Sequence, residues 1–181
     1  MYSLAKWSVE DYHKMIEAGI LDNRPVELIA GEILQMSPEG PLHHYINLRI
    51  AEYLRSLLGK QAIISEAHPI TLIDSEPEPD IAVVCAPSSL YFDHHPYPED
   101  IYWLIEIADS TLSKDLGIKK TIYANAHIQE YWVIALTLKT LKVFQNPKDN
   151  DYQIKQDYQT GFISPLSSPQ INFSVDTLLG K

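Results

Sequence analysis

The strongest constraint in this chain is one acid in apolar company. From Ile101 to Ile107 the sequence runs as an apolar, strand-like segment, and Glu106 lies inside it between Ile105 and Ile107. Burying an unpaired carboxylate costs on the order of several kcal/mol, so such an acid needs a partner, must give up its charge, or belongs to a site. The segment that follows, about residues 113–126, has helical periodicity. Leu112, Leu116, Tyr123 and Ala126 share a face that Ile118 and Ile122 widen. At about 100° per residue Lys119 falls near the centre of that arc with Asp115 one turn before it, whereas Lys120 sits at the edge and Lys114 points away. Lys119 is thus aimed inward, toward the strand it follows. The plainer alternative is an i,i+4 pair of Asp115 and Lys119 that snorkels to the surface. A second apolar strand, residues 130–136, completes the unit.

Around this unit the chain reads as alternating helices and strands. Ser8, with Asp11 three residues on, starts a helix over 9–18 that ends at Gly19. Residues 26–29 and 32–36 flank Ala30-Gly31 as a hairpin. After Pro38, Gly40 and Pro41 a long helix spans about 42–58, with Ile46, Ile50, Leu54 and Leu57 as its apolar stripe, His43 on that side and His44 away from it. Segments 61–65 and 70–73 are expected to be short strands. The prolines of 76–80 exclude a central strand there, and Asp80 opens an apolar strand over 81–85. A loop rich in Pro, Tyr and His covers 86–100. Strands over 140–144 and 152–155 flank a turn at 146–150, and 175–179 form a short apolar turn near the end. The expected fold is one α/β (α+β) domain over residues 1–181: a mixed central β-sheet flanked by helices, with an N-terminal helix and hairpin.

Composition matters mainly for partners. The formal charge is −10, and no basic run exceeds Lys119-Lys120, so strong non-specific binding to nucleic acid through phosphate contacts is not expected. A small basic groove, or an acidic site neutralised by a divalent cation, is compatible with that charge. The one cysteine, Cys85, excludes an internal disulfide framework and reads as a small core residue. There is no basic segment followed by an apolar run at the N-terminus and nothing near the ~18 apolar residues of a membrane span, so the expected location is the cytoplasm.

If the strands carrying Asp80 and Glu106 are neighbours in suitable register, their carboxylates converge at one end of the sheet. Two hard oxygen ligands plus water suit Mg²⁺, and a nearby lysine can orient a metal-bound water or stabilise charge developing on a phosphate. Asp80 alone is also what a turn after proline would carry. Glu27 is either another carboxylate near the metal or a strand residue. His43 either binds phosphate or substrate, or is a satisfied, half-buried histidine. His94 and His95 read as a solvated loop, and Trp103 and Trp132 as core.

Several spaced motifs together resemble the Uma2 family, DUF820. They are Pro79-Asp80, Ile105-Glu106-Ile107, Asp109-Ser110-Thr111, the series Asp115, Lys119, Tyr123, and Gln129-Glu130-Tyr131-Trp132. Upstream, Val26-Glu27-Leu28-Ile29, Gly31-Glu32, Met36-Ser37-Pro38 and His43 fit the same pattern, as do Leu166-Ser167-Ser168-Pro169. The resemblance implies a restriction-endonuclease-like core of the PD-(D/E)xK kind and a Mg²⁺- or Mn²⁺-dependent nuclease acting on nucleic acid, DNA foremost. It assigns Asp80 and Glu106 to the metal and Asp80, Glu106 and Lys119 to catalysis; Glu27, His43 and Asp115 stand beside them as second-tier candidates from the reading of the residues. A homodimer follows from the need for two sites to cut both strands of a duplex. One departure is specific. The position two residues after the second acid, where the motif's lysine ordinarily stands, is Ala108, so the resemblance hands that role to Lys119 on the next helix. Ala126-His127 and Ala135 also differ from the family pattern. A non-catalytic binding or regulatory module that keeps the fold is the competing expectation.

Overall fold

The computed structural model describes residues 3–181. Six strands form the central sheet in the order β3-β4-β5-β6-β7-β8, namely Ala62–Glu66, Ile81–Cys85, Ile101–Ala108, Glu130–Ala135, Thr140–Lys148 and Asp151–Tyr158. Every neighbouring pair is antiparallel except β5 and β6. A parallel pair needs a crossover, and the chain supplies it as a helical run in three parts: α3 (Leu112–Lys114), a π-helical turn (Asp115–Lys119) and α4 (Lys120–Asn125).

Strand alternation sends side chains to two cores. Trp103, Ile105, Ile107 and Trp132 face α2 (Pro41–Leu58), while Ala82, Leu104, Ala108 and Val133 face the crossover. Glu106, between Leu104 and Ala108, shares the second face. The N-terminal helix α1 (Val9–Glu17) begins with the expected capping box of Ser8 and Asp11. The hairpin β1–β2 (Val26–Ile29, Glu32–Gln35) forms a separate two-stranded sheet, tied to the main body through a bridge from Leu28 to Glu76. A two-stranded β9–β10 sheet (Phe162–Ile163, Phe173–Ser174) and α5 (Val175–Leu178) close the α2 side. Among the described residues no helix is long and apolar enough to cross a membrane.

Four local expectations are corrected. Residues 70–73 are not a strand: the amides of Ile70, Thr71 and Leu72 donate to Pro77, Pro96 and Ser75, three unrelated loop carbonyls, so no ladder forms. Burial of Ile70 and Leu72 with Ile73 exposed only imitates strand alternation. The α2 stripe ends on Leu58 rather than Leu57, because steps of four from Ile46 keep to one face and Leu57 slips outward. The β7–β8 hairpin runs to Lys148 and Asp151, and Pro147 is tolerated because β6 pairs only as far as Gln145. Cys85 is half-buried at the end of β4 rather than a core residue.

Candidate active site

The register of β4 against β5 decides where the two acids meet. Ile81 pairs with Ile105, so Asp80, one residue earlier, stands opposite Glu106, one residue later, at the same end of the sheet. Asp80 Oδ2 accepts a 2.6 Å hydrogen bond from the Ile107 amide, which fastens the acid to the end of β5. His43, at the start of α2, donates from Nε2 to the same oxygen at 3.1 Å. That bond to Asp80 raises the imidazole above its ordinary value against the opposing effect of burial.

Glu106 is buried, and its Oε1 accepts from both Lys119 Nζ and Tyr123 OH at 2.8 Å. Burial pushes its carboxyl up to about 8, a rise that the Lys119 ammonium limits and Asp80 adds to. Burial works to lower the Lys119 amine, but the carboxylates of Glu106 and Glu27 outweigh it and hold it above its ordinary value. Lys119 also donates to the Glu78 carbonyl at 3.2 Å. It does not snorkel, and its ion-pair partner is Glu106 rather than Asp115. Asp115 is buried in the cleft wall, accepts from Thr111 Oγ1 at 2.6 Å, and is raised by burial despite that bond.

Glu27, on β1 of the hairpin, is buried at the cleft and takes part in the same charge network. Its Oε2 lies 3.7 Å from Lys119 Nζ and its Oε1 lies 2.5 Å from Lys114 Nζ. The expectation that Lys114 points away is therefore overturned. It assumes a uniform α-helix, whereas the π turn adds residues to the rotation and carries Lys114 round toward the hairpin. Tyr123 is the partner that sequence reasoning leaves without a role, although its spacing of four from Lys119 puts both on one face. Glu39, near His43, carries no signal in the sequence that would single it out.

These groups open onto a cleft of about 320 Å³, lined by seven carboxylate residues against two lysines and His43. The donor chemistry fits a hard divalent cation. The acids stand opposite each other, and neither Asp80 Oδ1 nor Glu106 Oε2 accepts a hydrogen bond among the described residues. A second, mixed donor set lies beside it: Glu39, His43 and Asp80 each offer a ligand atom within 4.8 Å of the other two.

A mixed sheet flanked by helices is an architecture shared with a solved structure. A crystal structure described as "a putative nuclease belonging to DUF820" from Anabaena variabilis superposes with a TM-score of 0.70 at 18% identity, over 86% of this chain and 89% of that one. The sequence pattern of the Uma2 family, described as "Putative restriction endonuclease", matches residues 9–176, and the chain belongs to this family. None of the curated proteins matches it.

Proposed function

We propose that the chain is a divalent-metal-dependent phosphodiesterase that hydrolyses nucleic acid, with DNA the foremost substrate. One observation carries this reading: a buried carboxylate, Glu106, has one oxygen held by Lys119 and Tyr123 while the other is left to the cleft, opposite Asp80. Asp80 and Glu106 would hold Mg²⁺ or Mn²⁺, whose bound form supplies Lewis-acid charge and a water of lowered pKa. The chain's own groups divide the remaining work. Tyr123 and Lys119 fix the rotamer of Glu106, and the Ile107 amide and His43 fix Asp80. Lys119 stays an ammonium, so it serves as a fixed positive charge for the phosphate rather than as a proton acceptor. Reaching Glu106 from the helix, it takes over what a lysine at position 108 would do. The family description supports a nucleic-acid substrate, and a homodimer belongs to the same reading if duplexes are cut on both strands.

The test is metal binding followed by cleavage. Calorimetry with Mn²⁺ is expected to lose the binding event in Asp80→Ala and in Glu106→Ala; wild-type affinity in both would refute the assignment. Single- and double-stranded DNA and RNA, incubated with Mg²⁺ or Mn²⁺, should be cut by the wild type, with Lys119→Arg slower by about 10²-fold or more. The excess of acids lining the cleft favours one competitor, a non-catalytic module that keeps the fold. Metal binding without Lys119-dependent cleavage of any of these substrates would select it.

A further inference from the structure

The crossover helix contains a turn that the chemistry above does not call for. From Asp115 to Lys119 the backbone is π-helical, and the Lys120 amide donates to the Asp115 carbonyl five residues back. Such turns are rare and occur often at functional sites. In an uninterrupted α-helix Lys114 and Lys119 would lie about 140° apart, given about 100° per residue. Here both ammonium groups reach one carboxylate, Lys114 at 2.5 Å from Glu27 Oε1 and Lys119 at 3.7 Å from Glu27 Oε2. The two differ in depth. Both line the cleft, but Lys119 keeps only 5% of its side chain exposed, whereas Lys114 keeps 30%.

Formal charge gives this pair a direction. Glu27, Glu106, Lys114 and Lys119 cancel one another as they stand. A divalent cation held by Asp80 and Glu106 would be balanced by those two carboxylates alone. That leaves Lys114 and Lys119 facing Glu27, with the Asp115 and Glu78 carboxyls beside them held above their ordinary values by burial. A phosphodiester brought to the metal position then meets a lysine on this wall, and the more exposed of the two is Lys114.

We propose that Lys114 is a phosphate-binding residue, and that the π turn, by bringing it onto Glu27 beside Lys119, builds a two-lysine subsite for a backbone phosphodiester. The subsite rests on the phosphodiesterase reading and adds to it a residue that no strand or helix phase assigns. Glu27 is then a positioning residue for both lysines rather than a metal ligand.

The experiment measures binding, not turnover. A fluorescein-labelled DNA oligonucleotide is titrated with protein in Ca²⁺ across a salt series, and anisotropy is read for wild type, Lys114→Ala, Lys114→Arg and Lys60→Ala. Lys60 is an exposed residue after α2 that does not line the cleft, so it controls for the loss of one positive charge. Lys114→Ala should weaken binding about tenfold and reduce the slope of log K against log salt by about 0.7–0.9, the contribution of one phosphate contact. Lys114→Arg should recover most of both, Lys60→Ala should show neither, and Mn²⁺ affinity by calorimetry should stay at the wild-type value in Lys114→Ala. Wild-type DNA affinity and slope in Lys114→Ala would overturn the subsite while leaving the phosphodiesterase reading intact. A parallel loss of Mn²⁺ affinity would also overturn it, since Lys114 would then only support the fold of the metal site. If the wild type binds no oligonucleotide, the subsite and the nucleic-acid reading fall together.

Discussion

Two buried glutamates on adjacent strands differ in what their surroundings leave them free to bind. Glu130 opens β6 and Glu106 lies near the end of its parallel neighbour β5, on opposite faces of the sheet. Both are almost wholly shielded from solvent. Glu130 spends both oxygens on neutral donors: Oε1 accepts from Trp132 Nε1 at 2.7 Å and Gln145 Nε2 at 2.9 Å, and Oε2 from the Leu166 amide at 2.7 Å. It is saturated, and it ties the segment after β9 to the sheet. Glu106 has a cationic partner, one occupied oxygen and an opening to the cleft. Burial alone does not distinguish them. The unused oxygen does.

Substitutions can break or sharpen that contrast. The largest effect is expected for Lys119→Met, which leaves Glu106 and Glu27 without the ammonium between them; urea denaturation should show a loss of about 3–5 kcal/mol. A loss below about 1 kcal/mol would contradict a buried, paired Lys119. Next comes Glu130→Gln, which sets an amide NH₂ against either the Leu166 amide or the Trp132 and Gln145 donors. Stability should fall by about 1–3 kcal/mol while Mn²⁺ affinity is unchanged, and a change in that affinity would erase the distinction between the two acids. Glu106→Gln should do the reverse. Its carbonyl can still accept from Lys119 and Tyr123, so stability at about pH 4.5 should stay within about 1 kcal/mol of the wild type, while Mn²⁺ affinity at neutral pH drops by about tenfold or more.

The last effect is one of pH. In the metal-free protein the Glu106 carboxyl is raised from 4.5 to about 8. A group raised on folding contributes stability that is fully present below its unfolded pKa and is lost as pH climbs through the folded one. Urea midpoints of the wild type should therefore carry a downward component between about pH 4.5 and pH 8 that Glu106→Gln lacks. Parallel pH profiles for the two proteins would show that burial does not perturb this acid.

The sequence is legible wherever the helix phase is regular. Lys119, where the π turn ends, and Tyr123 in α4 lie four apart across the start of the regular helix, so residue spacing alone identifies the inward lysine. Lys114 lies on the other side of the turn, and phase counting misplaces it; only Gly117 within the segment hints at irregularity. The two acids can be proposed as a pair from sequence but not joined, because joining them requires the β4–β5 register, which shifts between Val83 and Val84. The helix α1, the first hairpin and strands β3 to β6 are readable from caps, turns and apolar runs. Residues 70–73 are not, since buried and exposed side chains alternate there for reasons of loop anchoring. Glu130 gives no sequence sign of being a saturated buried acid, because Leu166, one of its donors, is 36 residues away along the chain.

The bond from the Ile107 amide to Asp80 Oδ2 has a practical consequence. A backbone proton held at that distance by a carboxylate is a built-in spectroscopic gauge, since its chemical shift and its exchange with heavy water both follow the charge on the acceptor. An isotope-labelled sample would carry this gauge in one resolved amide resonance inside the sheet, with no added dye. Titrating Mn²⁺'s diamagnetic counterpart Mg²⁺ should move the Ile107 signal and leave that of Leu166, whose acceptor is Glu130, where it was.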